Sequence, residues 1–210
     1  MFLKPTAQDK SEARPLLQAG WPHLDEHSVE QLLAIARTDS HILITGSRKI
    51  DKAGCAKLAH EQSRRGSAPL VSVNCAEIAR RGWEDALFGQ LETAAGAVGQ
   101  AMGDPLATAD GGTLFLDEVH ALSRHSQLKL LRFLEEKQYR RLTETVVRRA
   151  DVRVIGATDA DLYAAVGDRR FREDLFRRFQ LVSITLPLLR TCVAAIRAAL
   201  ERVLTSVYRA

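Results

Sequence analysis

The sequence predicts an α/β fold in which a parallel sheet carries helices on both faces. Three observations lead there. Short apolar or β-branched runs alternate with helical patterns along the chain. The first run, His41-Ile42-Leu43-Ile44-Thr45, ends in Gly46, the signature of a strand entering a tight turn. Another run, Gly111-Gly112-Thr113-Leu114-Phe115-Leu116, ends in the adjacent carboxylates Asp117 and Glu118. Strands buried on both faces read as unbroken apolar runs, and α/β proteins place their chemistry at the carboxyl ends of such strands.

The elements follow in order. Residues 1–27 hold Pro5, Pro15 and Pro22 among polar residues and are expected to form a loose arm. Ser28 is a candidate cap for a helix through Val29 to Ala36, whose apolar residues fall at helical spacing. After the first strand a helix is expected from Lys52 to Arg64. Leu70 to Asn74 is a second strand, Leu114 to Asp117 a third, and Val152 to Ala157 a fourth. Helical patterns occupy Gln127 to Lys137 and Arg172 to Phe179. The stretch 191–210 reads as one C-terminal helix with Val193, Ile196, Leu200, Val203 and Val207 near one face.

Bulk properties narrow the classes. The 210 residues allow one core of respectable size, and a net charge of +4 is too small by itself to indicate nucleic acid. Arginines pair at Arg140-Arg141, Arg148-Arg149, Arg169-Arg170 and Arg177-Arg178, a pattern that solvated faces or subunit contacts explain more readily than DNA does. Cys55, Cys75 and Cys192 are odd in number and lack metal or redox spacing, as reduced thiols do. With no apolar leader and no run long enough to span a bilayer, a soluble, cytoplasmic protein is expected. His23, Glu26 and His27 match a zinc-protease spacing, but no third ligand accompanies them and the match reads as chance. His120 and His125 have no partner that the sequence nominates.

The carboxylate pair suits a nucleotide site. Asp117 can hold Mg²⁺ through the ion's hydration shell, and Glu118 can polarise an attacking water. This is the Walker B arrangement of an ATPase. The phosphate-cradling half lies upstream in Gly46-Ser47-Arg48-Lys49-Ile50-Asp51-Lys52-Ala53. Gly46 and Lys52 have the spacing of a P-loop. The inner glycine is replaced by Asp51, which adds a Cβ and a negative charge beside phosphate, and the usual hydroxyl is replaced by Ala53. Arg48 and Lys49 offset part of that charge.

The chain resembles the AAA+ central domain of bacterial enhancer-binding proteins, the ATP-driven activators of sigma-54 RNA polymerase. The resemblance runs from about Thr38 to Arg190. It is carried by Thr38-Asp39-Ser40, Val73-Asn74-Cys75-Ala76, Leu87-Phe88-Gly89, Ala109 to Glu118, Lys129 to Leu134, Asp151 to Ile155 and Phe171-Arg172-Glu173-Asp174-Leu175. It implies an AAA+ sheet, ATP and Mg²⁺ as cofactors, and sigma-54 RNA polymerase as partner. It further implies that Asp117 organises the metal, that Glu118 activates water and that Asn74 switches Glu118. Thr158 and Asp159 fall at a sensor strand's end, where the family usually has Thr-Asn. Arg172 and Arg178 match arginines that reach into a neighbouring subunit's nucleotide.

Three departures shape the functional expectation. The P-loop lacks its inner glycines. Where the family carries the sigma-54-contacting motif GAFTGA, this chain has Thr93-Ala94-Ala95-Gly96-Ala97-Val98. The helical lid is expected to be largely absent, leaving residues 191–210 as a remnant after a domain at 28–190, and neither a DNA-recognition helix nor a receiver domain is expected. The expected function is therefore regulation of transcription by a sigma-54-interaction-like domain with impaired or absent ATP hydrolysis. The alternatives are a competent ATPase that remodels sigma-54 RNA polymerase, and a catalytically silent subunit that binds another AAA+ protein in a ring.

Overall fold

The computed structural model describes residues 26–80, 87–88, 104–141, 144–180 and 182–186. In chain order these form α1 (Glu26–Ala36), β1 (Ile42–Thr45), α2 (Lys52–Glu61), β2 (Leu70–Asn74), α3 (Cys75–Arg80), α4 (Pro105–Thr108), β3 (Thr113–Asp117), a 3-10 turn (Val119–Ala121) and α5 (Arg124–Glu136). There follow β4 (Gln138–Tyr139), β5 (Arg148–Arg149), β6 (Arg153–Thr158), α6 (Leu162–Gly167), α7 (Glu173–Gln180) and β7 (Ser183–Thr185). The arm before residue 26, the 93–98 stretch and residues 187–210 lie outside the described residues.

Five strands make one parallel sheet in the order β2-β3-β6-β1-β7. Strand alternation divides the core between its two faces. Ile42, Ile44, Phe115, Ile155, Ala157 and Ile184 pack with Leu32 and Leu33 of α1 and Cys55, Ala56 and Ala59 of α2. Leu43, Val73, Leu114, Leu116 and Val154 face the other way, onto Leu130, Phe133 and Leu134 of α5 and Leu175 and Phe179 of α7. Burying each such Leu, Ile or Phe contributes roughly 1.5–3 kcal/mol. Both faces are covered, as the unbroken apolar runs require.

Local chemistry sets several boundaries. Helix α1 begins at Glu26, so Ser28 lies inside it and is buried rather than capping it. Helix α2 stops at Glu61, short of the expected Arg64. Helix α5 starts earlier than its apolar pattern, because Ser123 Oγ accepts from Ser126 N and caps it. Before β3, a Cβ at Gly112 would stand 2.1 Å from the Pro69 carbonyl oxygen, so only glycine lets β2 and β3 pair there. Sequence reading missed the edge strand β7 beside β1, the antiparallel β4–β5 pair and the short helices α3, α4 and α6.

The base of the sheet is tied by cations. Arg153 is 1 % exposed and donates to the carbonyls of Ile35, Ala36 and Ser40, satisfying the C-terminal end of α1. Beside it Arg65 bonds both oxygens of Asp39 and also reaches Asp151 Oδ2. These contacts fix β6 between β1 and β3 and so set where the opposite, carboxyl edge of the sheet points.

Candidate functional site at the carboxyl edge of the sheet

Strand register brings the predicted residues to one edge. Asn74 pairs with Asp117, and Thr45 with Thr158. Gly46 leaves β1 with its N–H donating to the Thr158 carbonyl, and its α-carbon is walled by Leu186, whose Cβ would sit 3.2 Å from an added Cβ. The loop that follows turns into α2.

That loop is closed by the chain's own groups. Asp51 has φ −73° and ψ 81°, outside the left-handed region, so its Cβ is accommodated without strain. Its Oδ1 accepts from Gly54 N at 2.8 Å and caps α2. The helix N-terminus, which in a P-loop faces phosphate, thus already holds a carboxylate. Lys52 is 5 % exposed, with Nζ 3.5 Å from the Ser47 carbonyl oxygen. Arg48 pairs through Nε with Asp159 Oδ2 at 3.0 Å.

The carboxylate side is equally specific. Asp117 Oδ1 accepts from Glu118 N at 3.0 Å. Glu118 adopts φ 53° and ψ 46°, a left-handed conformation that costs a non-glycine residue about 1 kcal/mol and swings its side chain inward. Burial, then the neighbouring charges of Asp159 and Asp117, push the Glu118 carboxyl above its ordinary value, against the pull of Lys52. At Asp159 burial pushes upward too, but hydrogen bonds from Arg48 and Glu118 outweigh it and hold that carboxyl below its usual range. Asn74 Oδ1 accepts from Glu77 N at 2.9 Å and caps α3, so its side chain serves its own helix.

A family model described as the sigma-54 interaction domain matches residues 23–185. The chain belongs to the sigma-54 interaction domain family. Among relatives, the alginate biosynthesis transcriptional regulatory protein AlgB of Pseudomonas aeruginosa is 39% identical over 188 residues, covering 86% of this chain and 42% of AlgB. The DNA-binding transcriptional activator HyfR of Escherichia coli is 42% identical over 166 residues, covering 79% of this chain and 25% of HyfR. This chain therefore spans less than half the length of these relatives. Among solved structures, NtrX from Brucella abortus in complex with ATP aligns with a TM-score of 0.74 at 30% identity, over 96% of this chain and 40% of NtrX. The same protein in complex with ADP aligns with a TM-score of 0.72 at 31% identity.

Within this sigma-54 interaction domain, Arg172 and Arg178 sit away from the sheet edge, on α7 and the turn before it. Arg172 forms a two-pronged pair with Asp174, at 3.0 and 2.6 Å, and lines an open cavity of about 400 Å³ with Arg124, Glu173 and Arg177. Arg178 is exposed, with Nη2 3.4 Å from the Leu134 carbonyl oxygen. Buried Gln127 positions this turn: its Oε1 accepts from Arg172 N, and its Nε2 donates to the carbonyls of Leu122 and Arg170.

One site residue was missed. His120 Nδ1 lies 2.8 Å from Thr158 Oγ1 and 3.3 Å from Glu118 Oε2. The missing signal was spacing: the 3-10 turn after Glu118 brings the second residue beyond it back over the strand ends. No described helix is long and apolar enough to cross a membrane.

Proposed function

We propose that this chain is the sigma-54 interaction domain of a transcriptional regulator in which nucleotide chemistry is impaired. The observation that carries the proposal is Asp51 seated on Gly54 N, a carboxylate at the helix end where a P-loop holds phosphate. ATP with Mg²⁺ is the ligand that family membership implies, and NtrX, a relative in fold and sequence, binds ATP and ADP. The Mg²⁺ half of such a site retains Asp117. The phosphate half does not fit: Asp51 sets an anion against an anion and Ala53 offers no hydroxyl. Losing several charge-assisted phosphate contacts costs on the order of 1.5–3 kcal/mol each, enough to carry a micromolar site into the millimolar range.

The partner implied by family membership is sigma-54 RNA polymerase. A second reading, in which a silent subunit lends Arg172 to a neighbouring AAA+ protein, draws support from the open cavity that Arg172 lines. The test is a titration with a fluorescent ATP analogue and Mg²⁺, beside a Glu118→Ala control. Absence of saturable binding in the micromolar range is the expected result. Micromolar binding, with hydrolysis that vanishes in the control, overturns the proposal in favour of a competent ATPase.

A further inference from the structure

We propose that Glu118, His120 and Asp159 form a binding site for a divalent transition-metal ion of the Zn²⁺ class, independent of nucleotide. The donor set is a mixed one. One ligand atom from each of the three residues lies within 4.8 Å of the others. They come from two different strand ends: Glu118 and His120 follow β3, and Asp159 follows β6. An ion among them would clasp the edge of the sheet at the seam between those strands.

Two observations go beyond mere proximity. Glu118 Oε2 is buried and has no hydrogen-bond partner among the described residues. A buried, unsatisfied carboxylate oxygen is costly unless something cationic meets it. Its separation from His120 Nδ1 is 3.3 Å, yet the pair lacks hydrogen-bond geometry. Two ligands about 2.0–2.1 Å from a tetrahedral Zn²⁺ stand about 3.3–3.4 Å apart, so these atoms already have the bite of one metal. The left-handed turn at Glu118 produces that approach.

The chemistry selects the ion. An imidazole nitrogen with two carboxylates suits Zn²⁺ and its first-row neighbours, whereas Mg²⁺ prefers oxygen alone and keeps its waters. Two existing contacts compete with the ion. Thr158 Oγ1 also lies 2.8 Å from His120 Nδ1 and already accepts from Ala160 N, so its proton is free to be donated to a neutral imidazole; the metal displaces that bond. Arg48, with its side chain 84% exposed, bonds Asp159 through Oδ2, an exposed pair of little worth.

The test uses the full chain, stripped with chelator and titrated with Zn²⁺ by calorimetry, with Co²⁺ absorption as a second readout. The expected result is one ion per chain, no competition from Mg²⁺ in large excess, and a Co²⁺ spectrum free of thiolate bands. Asp159→Asn and His120→Ala should each weaken binding at least tenfold, while Cys55→Ser, Cys75→Ser and Cys192→Ser leave it unchanged. Melting curves in chelator show whether each variant is folded, and near-isosteric Asp159→Asn keeps the test decisive if His120→Ala is not. Failure to bind stoichiometrically, or binding equal in wild type and Asp159→Asn, overturns the site. Neither outcome bears on nucleotide, which is absent throughout.

Discussion

The two halves of the candidate site have been treated differently. On one side β3 and β6 deliver Asp117, Glu118 and Thr158 to the sheet edge from strands that are wholly buried up to their last residues. On the other, the loop from Gly46 to Lys52 keeps its place between β1 and α2 but turns its polar groups onto the chain itself. The difference teaches that a fold is held by its apolar strands and its base cations, while a ligand loop can be rewired at little cost. Asp51 illustrates this: the residue that spoils a phosphate cradle is a good helix cap. On the proposed reading, the loop has exchanged a site that needs a ligand for one satisfied without it.

That contrast can be broken from either end. The largest effect is expected at the base of the frame. Arg153→Ala removes the guanidinium bonds to the Ile35, Ala36 and Ser40 carbonyls, of which Ile35 keeps Thr38 as a donor, and opens a cavity, so stability should fall by about 3–5 kcal/mol in urea unfolding. A loss under about 1 kcal/mol would show that the frame is not anchored there.

Acid should act on the same end. His41 accepts from Val154 N through Nδ1, and burial, helped by the cations Arg178, Lys137 and Arg153 against Asp39, pushes its pKa down to about 4. The folded value lies below the unfolded one, so the unfolded chain binds more protons and stability declines as pH falls from 6.5 towards 4. The shift corresponds to about 3 kcal/mol over that window. Urea midpoints measured across it should fall steadily, and His41→Gln should flatten the slope; an unchanged slope would remove His41 as its source.

The loop should respond far less. Asp51→Ala removes the cap on α2 and should cost about 1 kcal/mol. Arg48→Ala breaks an exposed pair and should cost no more than about 0.5 kcal/mol. If either approached the Arg153 value, the loop would be part of the frame and the contrast would fail.

Much of this was legible in the sequence, and the illegible part has physical causes. The β-branched run before Gly46 and the GGTLFLDE stretch located β1 and β3, because both carry the unbroken apolar pattern of a two-sided strand. Strand β7 was missed because Ser183-Ile184-Thr185 offers one buried residue in three, too short a pattern to register. The sequence identified Asp51 as a departure, but its capping role depends on a φ that only coordinates reveal. The partnership of His120 with Glu118 and Thr158 was invisible, since it arises from a left-handed turn at a residue that rarely adopts one. Asn74 was expected to switch Glu118 from its position, and here its Oδ1 accepts from Glu77 N and caps α3.

The central claim is that Asp51 occupies the phosphate end of an otherwise recognisable nucleotide site. The direct test is equilibrium binding of Mg²⁺-ATP to the wild-type chain and to Asp51→Gly, a change that costs the helix only a few tenths of a kcal/mol. The account predicts no saturation of wild type in the micromolar range and at least tenfold tighter binding by the variant, about 1.4 kcal/mol. Micromolar binding by wild type, or equal binding by the two proteins, would contradict it.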